Sequence, residues 1–497
     1  MNSKWARYIR IILLMGVIAA AVFLIMPAGT PQGPDEAIEK DGGNVQSYVY
    51  TPVAIDNAQY EESVTEETVA LYLPSQDFSS ASTYVQTIYL SQYETLHEGA
   101  VKEILRGIRS IDSDSSPINL YLLSFVKTDS IISVNLSGNT DISDIQLFAV
   151  AYCITNTLTE FADVSHVNIL MDDKAISING IPYGALSYFE NSLQIEFWQL
   201  SNKVQALLTQ SDIAPSFNLP VSLYYGASPS LLVGEVRDIA CYADTVKMVP
   251  YMIEELAKGP RDASRAQRLL PAEARLYSLD IDENESGALS IRMSISGAVS
   301  SHFARSRIEP RVAVAAIAMS LFDFYPNVDD VSIYFTDGLQ SEYSGITRPG
   351  CELLLGSTIT VYYPYAEGGM ALPVEKTVPS YTLSMPDTLL GEMLSQPSGL
   401  DVSGIFPPNT DASDIMSISQ QEGVAHVNVS ERFLRELRNT SAETEKTIIY
   451  CIVNTICDNK KAKQVLFMAE GFAGDNPPGR INLSEPLYYN PGIIIKQ

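Results

Sequence analysis

Three short stretches of this chain are near copies of one another: residues 133–137 read Ser-Val-Asn-Leu-Ser, residues 290–294 read Ser-Ile-Arg-Met-Ser, and residues 426–430 read His-Val-Asn-Val-Ser. Each follows a strand pattern rich in Leu and Tyr. Each precedes a helical pattern and then another strand pattern, and the spacing of these landmarks is nearly constant among the copies. Repetition on this scale indicates tandem copies of one small domain.

Each copy predicts the element order β-β-α-β-β-α-β. Its helices are indicated by apolar residues at positions i, i+3, i+4 and i+7, as in Val101, Ile104, Leu105 and Ile108 of the first copy. Two helices on one sheet form a stable two-layer arrangement. The expected fold class is therefore α+β, with three tandem two-layer domains.

The repeats and the composition between them predict the domain boundaries. We expect domains at residues 66–190, 216–350 and 351–497, with a linking segment at 191–215 between the first two. A cytoplasmic N-terminus (1–10), a transmembrane anchor (11–28) and an acidic linker (29–65) come before them. The linker is rich in Pro, Gly, Asp and Glu, a composition typical of a spacer between a membrane and a folded domain.

The anchor is predicted from an uncharged run at residues 11–28 that follows Lys4, Arg7 and Arg10. The run is just long enough to span the hydrocarbon core of a bilayer as a helix. Its positive flank places the N-terminus in the cytoplasm and the repeats on the extracytoplasmic side of the cell membrane. A cleaved signal peptide is the alternative, because small residues follow the apolar run at Ala28 and Gly29.

Charge and composition exclude several classes of function. The 497 residues carry a formal net charge of −27, which repels the phosphate backbone, so we expect no nucleic-acid partner. The five cysteines show no metal-ligand spacing, and no phosphate loop or dinucleotide fingerprint occurs. We therefore expect neither a metal nor another cofactor.

No catalytic constellation is shared by the copies. The four histidines fall at unrelated repeat positions, and no nucleophile elbow is present. Paired carboxylates such as Asp172-Asp173 could serve glycoside hydrolysis, but such pairs are also typical of solvated turns in an acidic chain. We expect no catalytic residues, and hence a protein that is not an enzyme.

Tyrosines recur on the first strand of every copy, at Tyr72, Tyr224, Tyr225, Tyr362 and Tyr363. Packing in the core is the first interpretation of this pattern. An interface with another protein is the second, because amphipathic aromatic side chains serve both purposes. These five residues are the candidate interface residues.

The three copies, from about residue 66 to the C-terminus, resemble the GerM domain of sporulation and spore-germination proteins, and the second copy is the best match. The resemblance lies in its Leu-Tyr-Tyr strand, the helix end Glu-Leu-Ala-Lys-Gly-Pro at residues 255–260, the Leu270-Pro271 turn and the closing Val-x-Ile strand. The first copy lacks the Pro after Gly107, and the third has Ser-Gln-Pro at 395–397 instead. The helix-strand-strand-helix-strand part is similar to ring-building motifs of membrane-associated assemblies.

The resemblance implies a membrane-attached extracytoplasmic protein of a spore-forming bacterium. The leading hypothesis is a non-enzymatic protein that acts in sporulation or germination through assembly with other membrane or sporulation-complex proteins, or with itself. The alternative is a peptidoglycan-binding module that regulates a wall enzyme or sensor.

Overall fold

The computed structural model describes residues 64–91, 94–111, 118–138, 142–209, 217–228, 230–337, 343–365, 369–383, 386–421, 423–459, 462–471 and 480–495. All described residues belong to one compact part of the chain, Glu62–Gln497. The predicted anchor and nearly all of the predicted linker lie outside the described residues. No helix in the described ranges is long and apolar enough to cross a membrane.

The structure contains three successive sets of elements, which we call the first, second and third units. The first unit consists of β1 (Val64–Pro74), β2 (Ala81–Ser91), α1 (Leu96–Arg109), β3 (Leu120–Thr128), β4 (Ile131–Gly138), α2 (Asp144–Thr159), β5 (His166–Met171), β6 (Lys174–Ala175), β7 (Ser177–Ile178) and β8 (Ile181–Pro182). The linking helix α3 (Leu193–Thr209) follows it within the predicted linking segment.

The second and third units repeat this order with additions. The second consists of β9 (Phe217–Ser228), β10 (Leu231–Cys241), α4 (Met248–Lys258), β11 (Arg275–Glu283), β12 (Leu289–Ser296), α5 (Val299–Ser306), α6 (Pro310–Phe322), β13 (Val328–Phe335), β14 (Tyr343–Ile346) and α7 (Arg348–Glu352). The third consists of β15 (Gly356–Pro364), β16 (Ala371–Pro379), α8 (Pro386–Leu394), β17 (Ile415–Gln421), β18 (Val424–Val429), α9 (Glu431–Arg438), α10 (Ala442–Asp458), β19 (Gln464–Ala469) and β20 (Leu487–Tyr488). The predicted α+β class is confirmed.

Each unit contains a hairpin and a separate four-stranded sheet, and the first also contains the two-stranded sheet β7–β8; this corrects the prediction of two helices on one sheet. The first two strands form an antiparallel hairpin, and later strands form a mixed four-stranded sheet. The strand orders are β3-β4-β5-β6, β11-β12-β13-β14 and β17-β18-β19-β20. The two central strands of each sheet are parallel and are connected through the second long helix, while the outer strands are antiparallel.

The second long helix of each unit explains why two sheets are needed. Every residue of α2 from 148 to 158 is buried, as is every residue of α6 from 312 to 322. A helix that is apolar on all sides must be covered on more than one side. In each unit this helix contacts the first strand of the hairpin, which is β1, β9 or β15. It also contacts the third strand of the four-stranded sheet, which is β5, β13 or β19. The sequence pattern showed only one apolar stripe.

The end of α4 confirms a local prediction. Gly259 follows the last helical residue with a φ of 85°, a left-handed conformation that glycine adopts without a steric penalty. Pro260 comes next and cannot continue the helix.

The first and second units share one hydrophobic core, which extends from Val69 to Leu355, whereas the third unit has a separate core from Ile359 to Ile493. The hairpin β9–β10 of the second unit makes close contact with the sheet of the first unit. A methyl group on Gly234 would lie only 2.9 Å from Cδ1 of Ile131. Strand β4 is therefore buried on both faces from residue 131 to 136.

The third unit contacts the first through polar groups. The Asp129 carboxylate accepts hydrogen bonds from the backbone N–H and the hydroxyl of Thr358, at 3.2 and 2.7 Å. Nζ of Lys463 lies 2.7 Å from Oε2 of Glu67. These contacts hold the third unit against the first without merging their apolar cores.

The shared core gives a test with matched variants. Ile154 and Ile452 occupy equivalent Tyr-Cys-Ile positions on α2 and α10, and both are fully buried. Substitution of either by Ala should lower the free energy of unfolding of its core by about 2–5 kcal/mol, because it leaves a cavity. We expect Ile154→Ala to accelerate amide hydrogen exchange in the first and second units together, and Ile452→Ala to accelerate it in the third alone. Faster exchange confined to the first unit in Ile154→Ala would contradict a shared core.

Candidate functional site

The recurring tyrosines lie at the junction between the hairpin and the second long helix of each unit. The backbone N–H of the first tyrosine donates to a helix hydroxyl in all three units. The pairs are Tyr72 with Thr157 at 2.9 Å, Tyr224 with Ser320 at 3.3 Å, and Tyr362 with Thr455 at 3.0 Å. One hydrogen bond thus fixes the hairpin on the helix in the same way three times.

The phenol of the same tyrosine donates to a carboxylate three residues after the helix hydroxyl. Its partners are Glu160 at 3.2 Å from Tyr72, Asp323 for Tyr224, and Asp458 at 3.0 Å from Tyr362. These carboxylates lie at helix C-terminal ends, where the helix dipole disfavours negative charge. A neutral phenolic donor compensates for this unfavourable position.

A second tyrosine completes the cluster in the first and third units. The hydroxyl of Tyr188 lies 3.1 Å from that of Tyr72, and the hydroxyl of Tyr489 lies 3.1 Å from that of Tyr362. Because Tyr72 and Tyr362 each donate their one proton to a carboxylate, the second tyrosine is the donor in each pair.

An asparagine positions the backbone next to this second tyrosine. The side-chain amide of Asn156 accepts from the N–H of Phe189 at 2.9 Å and donates to its carbonyl at 3.3 Å. Asn454 makes the same pair of bonds to Asn490, at 2.7 and 3.0 Å. The first and third units therefore share the complete cluster.

In the second and third units, the cluster tyrosine is followed directly in sequence by another tyrosine, Tyr225 or Tyr363. The side chain of this residue binds the C-terminal end of the first long helix. The hydroxyl of Tyr225 donates to the carbonyl of Glu255 at 3.2 Å, and that of Tyr363 donates to the carbonyl of Glu392 at 2.6 Å. A basic side chain lies over each ring at 5.3 Å, Arg237 over Tyr225 and Lys376 over Tyr363. Each basic group also donates to carbonyls at that helix end, where positive charge is favourable.

The second unit has a buried ion pair in place of the tyrosine pair. Nη2 of Arg348 lies 2.7 Å from Oδ1 of Asp323, and both side chains are almost fully buried. Nε of Arg348 donates to Glu352 at 2.8 Å. Asn168, from β5 of the first unit, donates to Asp323 at 2.9 Å and accepts from the hydroxyl of Ser222 at 3.0 Å. This cluster therefore joins two units.

Burial controls the ionisation of these groups. It raises the pKa of Tyr224, and the neighbouring Asp323 raises it further. Burial alone would lower the pKa of Arg348, but attraction to Asp323 and Glu352 outweighs it and the pKa is raised. Burial also raises the pKa of Tyr72 and of Tyr362. The phenols are thus neutral donors at physiological pH, and Arg348 is charged.

These clusters supply hydrogen bonds and not reactive groups. A phenol with a raised pKa has almost no phenolate at neutral pH, so it is a poor general base. Within the described ranges, no group of three or more His, Cys, Asp or Glu could hold a metal ion. His97 is buried, with Nε2 at 3.3 Å from the Asp163 carboxylate and its ring at 4.7 Å from that of Phe161.

A cleft of about 260 Å³ lies between the first and second units. Its charged lining residues pair with one another. Nε of Arg261 lies 3.4 Å from Oε1 of Glu235, and Nη2 of Arg265 lies 3.8 Å from Oδ2 of Asp129. The pair of Arg265 and Asp129 joins the two units across the cleft, whereas Arg261 and Glu235 both belong to the second unit.

The structure assigns the five candidate interface residues an internal role. Tyr224, Tyr225, Tyr362 and Tyr363 are buried, and Tyr72 is half-buried. They form a contact between hairpin and helix within each unit, and an intermolecular interface built from them stays a prediction. The hydrogen-bond partners of these tyrosines were not predicted from the sequence. A sequence signal for them does exist, because in every copy a hydroxyl residue of the helix is followed three residues later by an acidic residue. The pairs are Thr157 and Glu160, Ser320 and Asp323, and Thr455 and Asp458.

Comparison with known proteins gives a match to a protein-family model named Germane, described as sporulation and spore germination, over residues 70–177 and 360–474. The chain contains two Germane domains. The two matched ranges lie in the first and third units, which share the complete tyrosine cluster. The second unit, which we expected to be the best match, lies outside both Germane ranges. Its replacement of the tyrosine pair by Arg348 and Asp323 is one physical difference between them.

Two examples illustrate the similarity of this chain to solved structures. The tandem GerMN domains of the sporulation protein GerM from Bacillus subtilis are 16% identical; the match covers 57% of this chain and 98% of that one, with a TM-score of 0.24. A candidate lipoprotein from Clostridium perfringens is 22% identical over 25% of this chain and 85% of that one, with a TM-score of 0.15. No curated protein matches the chain.

The buried ion pair predicts a large difference between two equivalent carboxylates. Asp323→Asn removes one of the two carboxylates that contact the buried Arg348 and leaves Glu352 to balance its charge, which should lower the free energy of unfolding by about 3 kcal/mol. Asp458 is exposed and accepts from a neutral phenol, so Asp458→Asn should cost less than about 1 kcal/mol. Urea unfolding followed by circular dichroism measures both. Equal losses in the two variants would contradict the assigned role of Arg348.

Proposed function

We propose that this protein is a non-enzymatic, membrane-anchored extracytoplasmic protein that acts in sporulation or spore germination through protein–protein assembly. The observation that carries the proposal is the match of two units to a family described by sporulation and spore germination. The uncharged run at residues 11–28, preceded by Lys4, Arg7 and Arg10, supports the anchor and its orientation.

The polar clusters support an assembly role over a catalytic one. Their donors and acceptors are used to fix hairpins on helices and to join units, as with Asp323, Arg348 and Asn168. Polar contacts such as that between Asp129 and Thr358 also connect the third unit to the first. Such connections give a rigid body that presents several related surfaces in fixed positions, which suits a protein whose partners are other proteins.

The test is crosslinking of the full chain in sporulating cells of its own host, followed by affinity purification and mass spectrometry. We expect recovery of the same extracytoplasmic or membrane proteins at a defined stage. The separate core of the third unit permits a matched variant that lacks residues 356–497 and keeps the shared core of the first two units. That variant should lose some partners and retain others.

A parallel assay with purified peptidoglycan separates the alternatives. The full chain should neither cosediment tightly with sacculi nor release soluble fragments from them. Tight binding to sacculi without protein partners would favour a wall-binding module. Release of fragments that a single carboxylate substitution abolishes would show an enzyme.

A further inference from the structure

The outer edge of strand β2, the side away from β1, has no strand partner in the part of the chain that the structure describes. Strands β1 and β2 form a sheet of their own, and no isolated bridge involves residues 81–91. The far edge of β1 is different, because the N–H of Tyr72 bonds to Thr157 on α2. We call the outer side of β2 the β2 edge.

The equivalent edges of the other two hairpins each carry one bridge, near the start of the strand. On β10, the N–H of Leu232 donates to the carbonyl of Leu354 at 2.8 Å, next to a parallel bridge with Leu355. On β16, the carbonyl of Ala371 accepts from Ile495 at 3.0 Å, next to a parallel bridge with Ile494. In both units, the segment that follows the last strand returns to the edge of its own hairpin at this point.

The first unit makes the pairing that comes before this segment in the same way as the other two, which pair Ile346 with Val331 and Leu487 with Val465. Leu186 follows the last strands of the first unit and pairs with Val167 of β5, with N–H to carbonyl distances of 2.8 and 2.9 Å. The chain then enters helix α3. The β2 edge therefore lacks this contact because the residues after Leu186 lead into helix α3, whereas in the other two units the equivalent residues return to the hairpin.

The composition of β2 also lacks the features that protect exposed edges. Residues 81–91 read Ala-Ser-Thr-Tyr-Val-Gln-Thr-Ile-Tyr-Leu-Ser, without a charge, proline or glycine. By contrast, β10 contains Glu235 and Arg237, and β16 contains Pro373 and Lys376. Proteins normally place charges or prolines on open edges to prevent pairing with other chains.

One substitution within the repeat shows this difference directly. In each hairpin, the apolar residue three positions before the cluster tyrosine lies opposite a polar residue of the second strand. The opposed pairs are Val69 and Gln86, Val221 and Arg237, and Ile359 and Lys376. The first unit thus has a neutral amide where the other two have a basic group. Apolar side chains are exposed around it, with Val85 at 76% and Tyr89 at 65%.

We propose that the β2 edge pairs antiparallel with the β2 edge of a second copy of this chain, across a two-fold axis. Two-fold symmetry requires the same edge from both copies and hence antiparallel strands. This inference rests on the proposed assembly function and names one of its partners and the surface used.

Electrostatics favours a second copy as the occupant. Two chains that each carry a net charge of −27 repel one another over most of their surfaces. Pairing through the β2 edge opposes no like charges in any register, because the strand has none. It also brings Thr, Tyr and Val side chains into cross-strand pairs, which stabilise antiparallel ladders. The interface is small, so we expect a dissociation constant in roughly the micromolar range.

The test is sedimentation velocity of the full chain over a concentration series. We expect a monomer–dimer equilibrium that Val85→Lys and Tyr89→Lys each weaken by about tenfold or more, because a charge on each copy would be desolvated next to its symmetry mate. Both side chains are exposed, so the fold should be unaffected. Tyr277→Lys is the matched control, since Tyr277 is 74% exposed on the edge strand β11.

Crosslinking gives an independent readout. The five native cysteines are buried or half-buried, so a short bis-maleimide should report mainly on an introduced thiol. We expect it to link two copies of Val85→Cys and not of Tyr277→Cys. A wild-type chain that stays monomeric at about 100 µM, well above the expected dissociation constant, would overturn the proposal. So would a dimer that Val85→Lys leaves intact.

Hydrogen exchange identifies other occupants. If a second copy covers the β2 edge, protection of the β2 amides rises with protein concentration. Full protection in the monomer would show that the edge is covered by another part of the same chain, and would overturn the proposal. If any of these results rules out the dimer but Val85→Lys still captures host proteins, the proposal of a second copy at the β2 edge fails. The proposed assembly function remains supported in that case.

Discussion

The fold depends on covering the second long helix of each unit on two sides. Such a helix presents almost no polar surface, so it cannot lie on one sheet with its other side in water. The hairpin provides the second cover, and the hydrogen bond from its tyrosine N–H to a helical hydroxyl fixes its position. The tyrosine clusters, the helix-end contacts and the placement of the hairpin edges all follow from that arrangement.

The second unit shows how the same plan can join units together. Its hairpin covers its own helix with one face and the sheet of the first unit with the other. The carboxylate that is exposed in the other units, as Asp458 is, becomes buried there as Asp323. A buried carboxylate needs a charged partner and further donors, which Arg348 and Asn168 supply. The buried ion pair of this unit thus accompanies its contact with the first unit.

The sequence was sufficient to predict what depends on local pattern. The threefold repeat, the order of the long elements and the end of α4 at Gly259 follow from periodicity and from the properties of glycine and proline. The separation into two sheets did not follow, because periodicity shows which side of α2 is apolar but not how many layers cover it. Arg348 was not predicted either, because its partner Asp323 is distant in sequence and no local motif connects them.

The central claim is that the hairpin of the second unit completes the core of the first. Its most direct test compares the thermal unfolding of three fragments, residues 62–190, 62–355 and 356–497, by differential scanning calorimetry. The account predicts cooperative unfolding for 62–355 and for 356–497, and no cooperative transition for 62–190, whose sheet would be exposed without β9 and β10. A cooperative transition in 62–190 at the temperature found for 62–355 would contradict it.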